Sequence, residues 1–219
     1  MTVIAIDGPA GSGKSTIAAT LARRLGLPHV DTGAFYRAAA LAVLRAQGDP
    51  RDAQVCAQVI ADAEITRVSG RTFLDGVDVE EEIRGPAVTA VVPEVARHPQ
   101  VRAALLSLQQ GQIGVSGAVV EGRDAGTVVA PQADLKVWLT ARPDVRAARR
   151  AAQWGDSGSG AADHAQWLAR RDAIDAANMA KAHDVVEVDT SDRGVDEVVD
   201  EITGLAATRP RADDARGRP

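Results

Sequence analysis

At 219 residues, 45% of them apolar, the chain is long enough for one ordinary domain with a core and one or two inserted subdomains. Only six residues are aromatic, so the interior must be filled largely by Ala, Val, Leu and Ile. Thirty acidic against 25 basic residues leave a net charge of -5, which argues against a broad surface for the DNA or RNA backbone; any anion site must be local.

The opening residues, MTVIAID, carry no basic n-region and run straight into a glycine motif, so no secretory signal is expected. No apolar run approaches the roughly 18 residues of a membrane span. A soluble, cytoplasmic, monomeric protein is the expectation. VIAI reads as a buried parallel strand and is followed by GPAGSGKST at residues 8 to 16. Gly8, Gly13, Lys14 and Ser15 match GxxxxGK[ST], with a strand before and the helical STIAATLARRL after. Glycines let the backbone wrap phosphate oxygens and aim amide N–H groups at them, and the helix N-terminus adds its positive end. The spacing predicts that Gly8, Pro9, Ala10, Gly11, Ser12, Gly13, Lys14, Ser15 and Thr16 cradle a nucleoside triphosphate. Lys14 reaches the outer phosphates and the Ser15 hydroxyl holds Mg²⁺, a cation that prefers hard oxygen ligands. The motif does not separate a kinase from an ATPase or a GTPase switch.

Gly26-Leu27-Pro28 ends the first helix, and a short strand is expected at His29 to Asp31. VDTGAFYRAAAL then opens a helix in which Thr32 and Arg37, next to Tyr36, either bind a second anion or serve as a cap and a surface arginine. Cys56 lies in DAQVCAQVIADAEI, where Val55, Val59 and Ile60 recur at helical spacing; it reads as a buried apolar residue, and one cysteine allows no internal disulfide. From Ile65 to Val79 the turn pairs Ser69-Gly70 and Asp75-Gly76 separate short β-prone runs, predicting a small antiparallel meander. Helices at 86 to 97 and 99 to 111 follow, divided at His98-Pro99.

AVVEG at 118 to 122, LKVWLT at 135 to 140 and VVEV at 185 to 188 read as further buried strands, so alternating strands and helices imply a parallel sheet covered on both faces. In VVEGRDAGTVV, residues 119 to 129, Glu121, Arg123 and Asp124 crowd a strand end beside glycines, where loops carry binding groups. Arg123 is expected to face phosphate and Glu121 to organise magnesium waters. Pro143 to Asn178 reads as a hinged helical cover with the polar GDSGSGAAD in its middle. Arg146, Arg149 and Arg150 lie on one side of its first helix. The final ATRPRADDARGRP lacks periodicity and reads as a disordered tail. The histidines at 29, 98, 164 and 183 show no metal spacing and are assigned no role.

Taken in order, IDGPAGSGKS, VDTGAFYR, EEIR, HPQVR, EGRDAGTVV, LTARPDVRAARR and RRDAIDAAN resemble the bacterial cytidylate kinases, P-loop nucleoside monophosphate kinases, over roughly residues 4 to 190. The resemblance implies an α/β P-loop NTPase fold: a five-stranded parallel sheet flanked by helices, an inserted antiparallel-sheet and helical monophosphate-binding subdomain, and a helical lid. The core would span about 1–57, 106–142 and 179–206, the insertion about 58–105, the lid about 143–178 and the tail 207–219. It implies transfer of the γ-phosphate of ATP, with Mg²⁺, to CMP or dCMP. Thr32, Arg37 and Arg123 would meet the CMP phosphate, Arg102 and Asp124 the cytosine, and Arg171 and Asp175 the ribose and neighbouring phosphate, with Tyr36 also among the substrate-binding residues. Arg146, Arg149 and Arg150 would belong to the lid over ATP, with Lys14, Arg123, Arg146 and Arg149 acting on the transferred group.

A carboxylate paired with an arginine matches the amino donor and the acceptors of cytosine, whereas uracil would turn a carbonyl toward Asp124. Two positions depart from the pattern. Pro93 stands where the family usually places a serine, and Asn178 replaces a basic residue three beyond Asp175. The other readings are a P-loop kinase for UMP or AMP and a nucleotide-dependent switch; the guanine-reading NKxD motif is absent.

Overall fold

The computed structural model describes residues 1–154, 161–176 and 179–208, with the backbone alone at 153, 154, 161–165, 167 and 171. The Gly/Ser stretch at 155–160, Asn178 and the tail beyond Thr208 lie outside the described residues, as does the side chain of Arg171. In chain order the first elements are β1 (Thr2–Asp7), α1 (Lys14–Leu25), β2 (His29–Asp31), α2 (Thr32–Arg45) and α3 (Ala53–Asp62). Next come β3 (Ile65–Val68), β4 (Arg71–Leu74), β5 (Val77–Asp78), a 3₁₀ turn (Glu82–Arg84), α4 (Pro86–Ala96) and α5 (Pro99–Gly111). The chain continues through β6 (Gly117–Glu121), a π-helical turn (Ala125–Val129), β7 (Leu135–Thr140), α6 (Pro143–Trp154), α7 (Ala161–Asp175), β8 (Val186–Asp189) and α8 (Val195–Thr208). Helix α8 runs through Ala207 and Thr208, two residues past the expected start of the tail.

The chain divides into two compact units, Met1–His29 with Gly114 onward, and Val30–Ile113. The first is organised by a five-stranded parallel sheet of order β2-β6-β1-β7-β8. β1 lies at its centre, pairing Ile4 with Val119 on one side and with Leu135 on the other. A strand hydrogen-bonded on both edges and covered on both faces has no polar surface to satisfy, which is why VIAI reads as an unbroken apolar run; LKVWLT is interrupted by Lys136, which is buried and pairs with Asp184 at 3.0 Å. Ile4, Ile6, Leu135, Val137 and Leu139 pack with Ile17 and Leu21 of α1 and Val198, Val199 and Ile202 of α8. α1 presents that stripe through Ile17, Ala18, Leu21 and Ala22, spaced one turn apart. It ends at Gly26, whose φ of 64° lets the chain reverse while Leu27 N–H closes on Ala22 O at 2.9 Å.

In the second unit the predicted meander forms β3-β4-β5, with Ile65 opposite Leu74 and Phe73 opposite Asp78. Ser69-Gly70 and Asp75-Gly76 all take positive φ, from 52° to 79°, the geometry of a tight two-residue hairpin turn. One inward position carries a charge: Arg67 is buried, held by Thr72 Oγ1 at 2.7 Å, Gly70 O at 3.0 Å and Glu80 at 3.3 Å. The unit's core gathers Phe35, Ala38, Ala39 and Val43 of α2 with Cys56, Ile60, Leu74, Ile83, Val92, Val95 and Leu105. Cys56 is free and fully buried, and desolvation pushes its thiol up, so it behaves as the apolar residue the sequence indicated. α4 and α5 each begin on a proline, at Pro86 and Pro99. Among the described residues no helix is long and apolar enough to cross a membrane.

Two glycines mark opposite demands. Gly117 opens β6 at φ 99°, and a Cβ there would lie 1.9 Å from Thr2 O. Gly204 lies inside α8 with nothing within 4 Å of a Cβ. Gly117→Ala is expected to lower the unfolding free energy by more than about 1 kcal/mol. Gly204→Ala is expected to raise it by about 0.5–1 kcal/mol. Urea midpoints of the two variants against the parent check both signs.

Candidate active site

The first unit builds a phosphate cradle from the end of β1. Gly8, at φ 149°, passes so close to β7 that a Cβ would lie 2.3 Å from Leu139 O. Gly11, at φ 77°, lies against Arg146, and Gly13, at φ 91°, caps α1. Only glycine takes all three conformations beside such neighbours without strain. Lys14 is buried and its Nζ donates to Pro9 O at 2.7 Å. Burial drives its ammonium well below the ordinary lysine range, and the Arg123 guanidinium adds to this, while Glu121, Asp7 and Asp175 act in the opposite sense. Ser12 Oγ is buried with no hydrogen-bond partner among the described residues. A buried hydroxyl left unpaired in a loop of convergent amides is the kind of atom a bound phosphate satisfies.

Behind the loop, Ser15 Oγ donates to Glu121 Oε2 at 2.9 Å, and His29 Nε2 lies 2.9 Å from Glu121 Oε1. A hydroxyl and a buried carboxylate are hard oxygen donors, so this pair fits Mg²⁺. Arg123 Nε donates to Asp175 Oδ2 at 2.9 Å and its Nη1 to Gly8 O at 3.2 Å, joining the end of β6, α7 and the loop. Asp124 is buried beside it and heads the π-helical turn, Val128 N–H reaching Asp124 O at 2.8 Å. That turn is held from below by Asp7, whose carboxylate oxygens accept from Ala125 N and Gly126 N, both at 2.8 Å. Burial raises the Asp7 pKa; the two backbone donors oppose the shift and the Asp124 charge adds to it.

Two arginines of α6 reach the cradle. Arg146 Nη1 donates to Ala10 O at 3.0 Å and to Asp172 at 2.6 Å. Arg149 donates to Thr190 Oγ1 at 2.9 Å and Thr190 O at 2.6 Å, and Thr190 Oγ1 lies 3.0 Å from Ser12 O. Arg150 follows on the same helix, half-buried.

The second unit brings together four other expected residues. Asp31 caps α2, accepting from Ala34 N at 3.1 Å, and Arg84 of the 3₁₀ turn holds its other oxygen at 3.1 Å. Thr32 therefore stands at a fixed helix start. Arg37 Nη1 donates to Ile83 O and Thr89 Oγ1, both at 3.0 Å, so it is an anchored side chain and not a surface arginine. The Arg102 guanidinium lies over the Tyr36 ring, 5.5 Å from its centre, and donates to Ala96 O at 3.4 Å. Pro93 is buried within α4.

Sequence reasoning passed over Asp7, Arg84, Thr89, Asp172 and Thr190. Asp7 carried a usable signal: a carboxylate ending a strand buried on both faces needs donors, and the glycine-rich turn after β6 supplies them. Asp172 sits in the RRDAID run of α7, three residues before Asp175.

A glycine loop with Lys14 and Ser15 between the central strand of a parallel sheet and its first helix defines a P-loop nucleotide-binding protein of the α/β class. The cytidylate kinase family model matches residues 4–208, and the chain belongs to that family. It is 44% identical to the cytidylate kinase of Mycobacterium leprae (strain Br4923), the match covering 96% of this chain and 97% of the relative. It is 43% identical to that of Pelotomaculum thermopropionicum (strain DSM 13744 / JCM 10971 / SI), covering 95% and 97%. Its fold is shared with the solved structure of an uncharacterized protein from Eubacterium ventriosum ATCC 27560, at a TM-score of 0.54 and 13% identity, covering 95% of this chain and 100% of that one.

Burying the Lys14 ammonium costs the fold stability. Its folded pKa lies below the ordinary 10.5, so the unfolded chain holds the proton more tightly. The charged form therefore destabilises the fold at neutral pH, and this cost fades as pH rises toward the unfolded value. Lys14→Met is expected to unfold at higher denaturant than the parent at neutral pH, the gap narrowing as pH is raised. Denaturation series across that range measure it.

Proposed function

We propose that this chain transfers the γ-phosphate of ATP to CMP or dCMP, giving ADP and CDP or dCDP. One observation carries the reading: in a chain of the cytidylate kinase family, the glycine loop bearing Lys14 and Ser15 is tied to Glu121 and Arg123 at the end of the neighbouring strand. The loop residues Gly8 to Thr16 receive ATP, with Arg146 and Arg150 from the helical lid at about 143–178. Thr32, Arg37 and Arg123 receive the acceptor phosphate, Arg102 and Asp124 the cytosine, and Arg171 and Asp175 the ribose side, with Tyr36 also contacting the substrate. The meander and helices at about 58–105 are the monophosphate-binding insertion. We propose the monomer as the working form.

The acceptor phosphate is already an anionic nucleophile at neutral pH, so no general base is required. The obstacle is repulsion between two anions. Lys14, Arg123, Arg146 and Arg149 offset it, hold the attacking oxygen in line with the γ-phosphorus and neutralise charge spread over the equatorial oxygens. The Ser15 hydroxyl would hold Mg²⁺, with Glu121 acting through water, and the cation would supply further positive charge to the outer phosphates. Closing the lid excludes water as a competing acceptor. Cytosine is favoured because Asp124 accepts from its amino group, and the same carboxylate repels the carbonyl of uracil.

Arg37→Ala is expected to weaken CMP binding by about 1.5–3 kcal/mol, the range of a charge-assisted hydrogen bond, with ATP-analogue binding unchanged. Calorimetry reads both, and an unaltered CMP affinity rejects the assignment. The reaction itself is tested by ADP release with CMP, dCMP, UMP, AMP or no acceptor. Release stimulated by the two cytosine nucleotides above the others is expected. Acceptor-independent release would mark a switch, and preference for UMP or AMP a different kinase.

A further inference from the structure

We propose that His29 is a positioning residue for the cation site: it fixes the Glu121 carboxylate so that the other carboxylate oxygen holds the Ser15 hydroxyl hydrogen. The inference rests on the reading of Ser15 and Glu121 as the pair that holds Mg²⁺. His29 is the first residue of β2, the strand beside β6 in the sheet, and Val119 N–H reaches Pro28 O at 2.9 Å just before it. That register sets the His29 ring against the end of β6. Its Nε2 lies 2.9 Å from Glu121 Oε1, and with a carboxylate as partner Nε2 carries the hydrogen. The second oxygen, Oε2, accepts from Ser15 Oγ at 2.9 Å.

The consequence lies in the single hydrogen of a hydroxyl. While Glu121 takes that hydrogen, the Ser15 lone pairs face away from the carboxylate and are available to a hard cation. A glutamate side chain turns easily about its last bond, and a donor on one oxygen fixes which way the other points. The Glu121 side chain is 4% exposed while that of His29 is 24% exposed, so the histidine reaches a buried carboxylate from a position partly open to solvent. Its ring is engaged with Glu121 through Nε2 and acts on the cation only through that residue. Losing it should therefore loosen the cation site more than the fold.

The test titrates a non-hydrolysable ATP analogue into the whole chain, with and without Mg²⁺, for the parent, His29→Leu and His29→Gln. Without Mg²⁺ the three are expected to bind the analogue alike, and with it the parent binds more tightly. His29→Leu should lose about tenfold of that Mg²⁺-dependent gain, the size typical of removing a partner that orients a metal ligand. His29→Gln, whose amide nitrogen can still donate, should keep most of it. CMP affinity and the thermal midpoint should stay near the parent's in both. A full Mg²⁺ gain in His29→Leu overturns the role of His29 while leaving the cation pair intact. Equal losses of analogue affinity with and without Mg²⁺ overturn it as well, since they mark general damage to the loop. A parent with no Mg²⁺ gain at all overturns the reading of Ser15 and Glu121, and this inference with it.

Discussion

The approach of Gly8 to the Leu139 carbonyl is the constraint on which the cradle depends. β1 and β7 are neighbours in the sheet, and the chain leaving β1 has no room for a side chain as it passes the end of β7. That close passage bends the loop into the arc from which α1 starts at Lys14, with Gly11 and Gly13 both at positive φ. The amides so gathered, with the positive end of α1, form an anion site before any side chain is considered. The apolar run that builds the sheet centre thus also sets where chemistry can occur.

The cations of this region rest on oxygens of their own surroundings. Lys14 takes Pro9 O, Arg123 takes Gly8 O and Asp175, Arg146 takes Ala10 O and Asp172, and Arg149 takes Thr190. The buried ammonium of Lys14 is held against its desolvation cost, which is the expected signature of a group arranged for a ligand and not for stability. Arginine suits the remaining positions because its charge persists whatever the burial.

Much of this was legible in the sequence because the signals were local. The meander turns, the strand LKVWLT and the proline starts of α4 and α5 each depend on a few adjacent residues, and each was placed where the fold has it. What escaped were side chains whose meaning comes from distant partners. Arg67 occupies an inward position in an alternating strand and looks like an error of pattern until Glu80 and Thr72 are brought beside it. Asp7 gains its purpose only when Ala125 and Gly126 arrive from more than a hundred residues away. His29 showed no metal spacing and so carried no signal, although its partner Glu121 had been singled out.

The acceptor side illustrates why anchoring matters as much as charge. A free arginine on a helix would have to give up its rotamer freedom to grip a phosphate, at a cost of roughly 0.5–1.5 kcal/mol. Arg37 has already lost that freedom to Ile83 O and Thr89 Oγ1, and the 3₁₀ turn that supplies Ile83 also sends Arg84 to the cap of α2. One short turn therefore fixes both the helix start that carries Thr32 and the guanidinium one and a half turns on. The entropy is spent in folding the second unit, so the Arg37 guanidinium is held in place there before any ligand arrives.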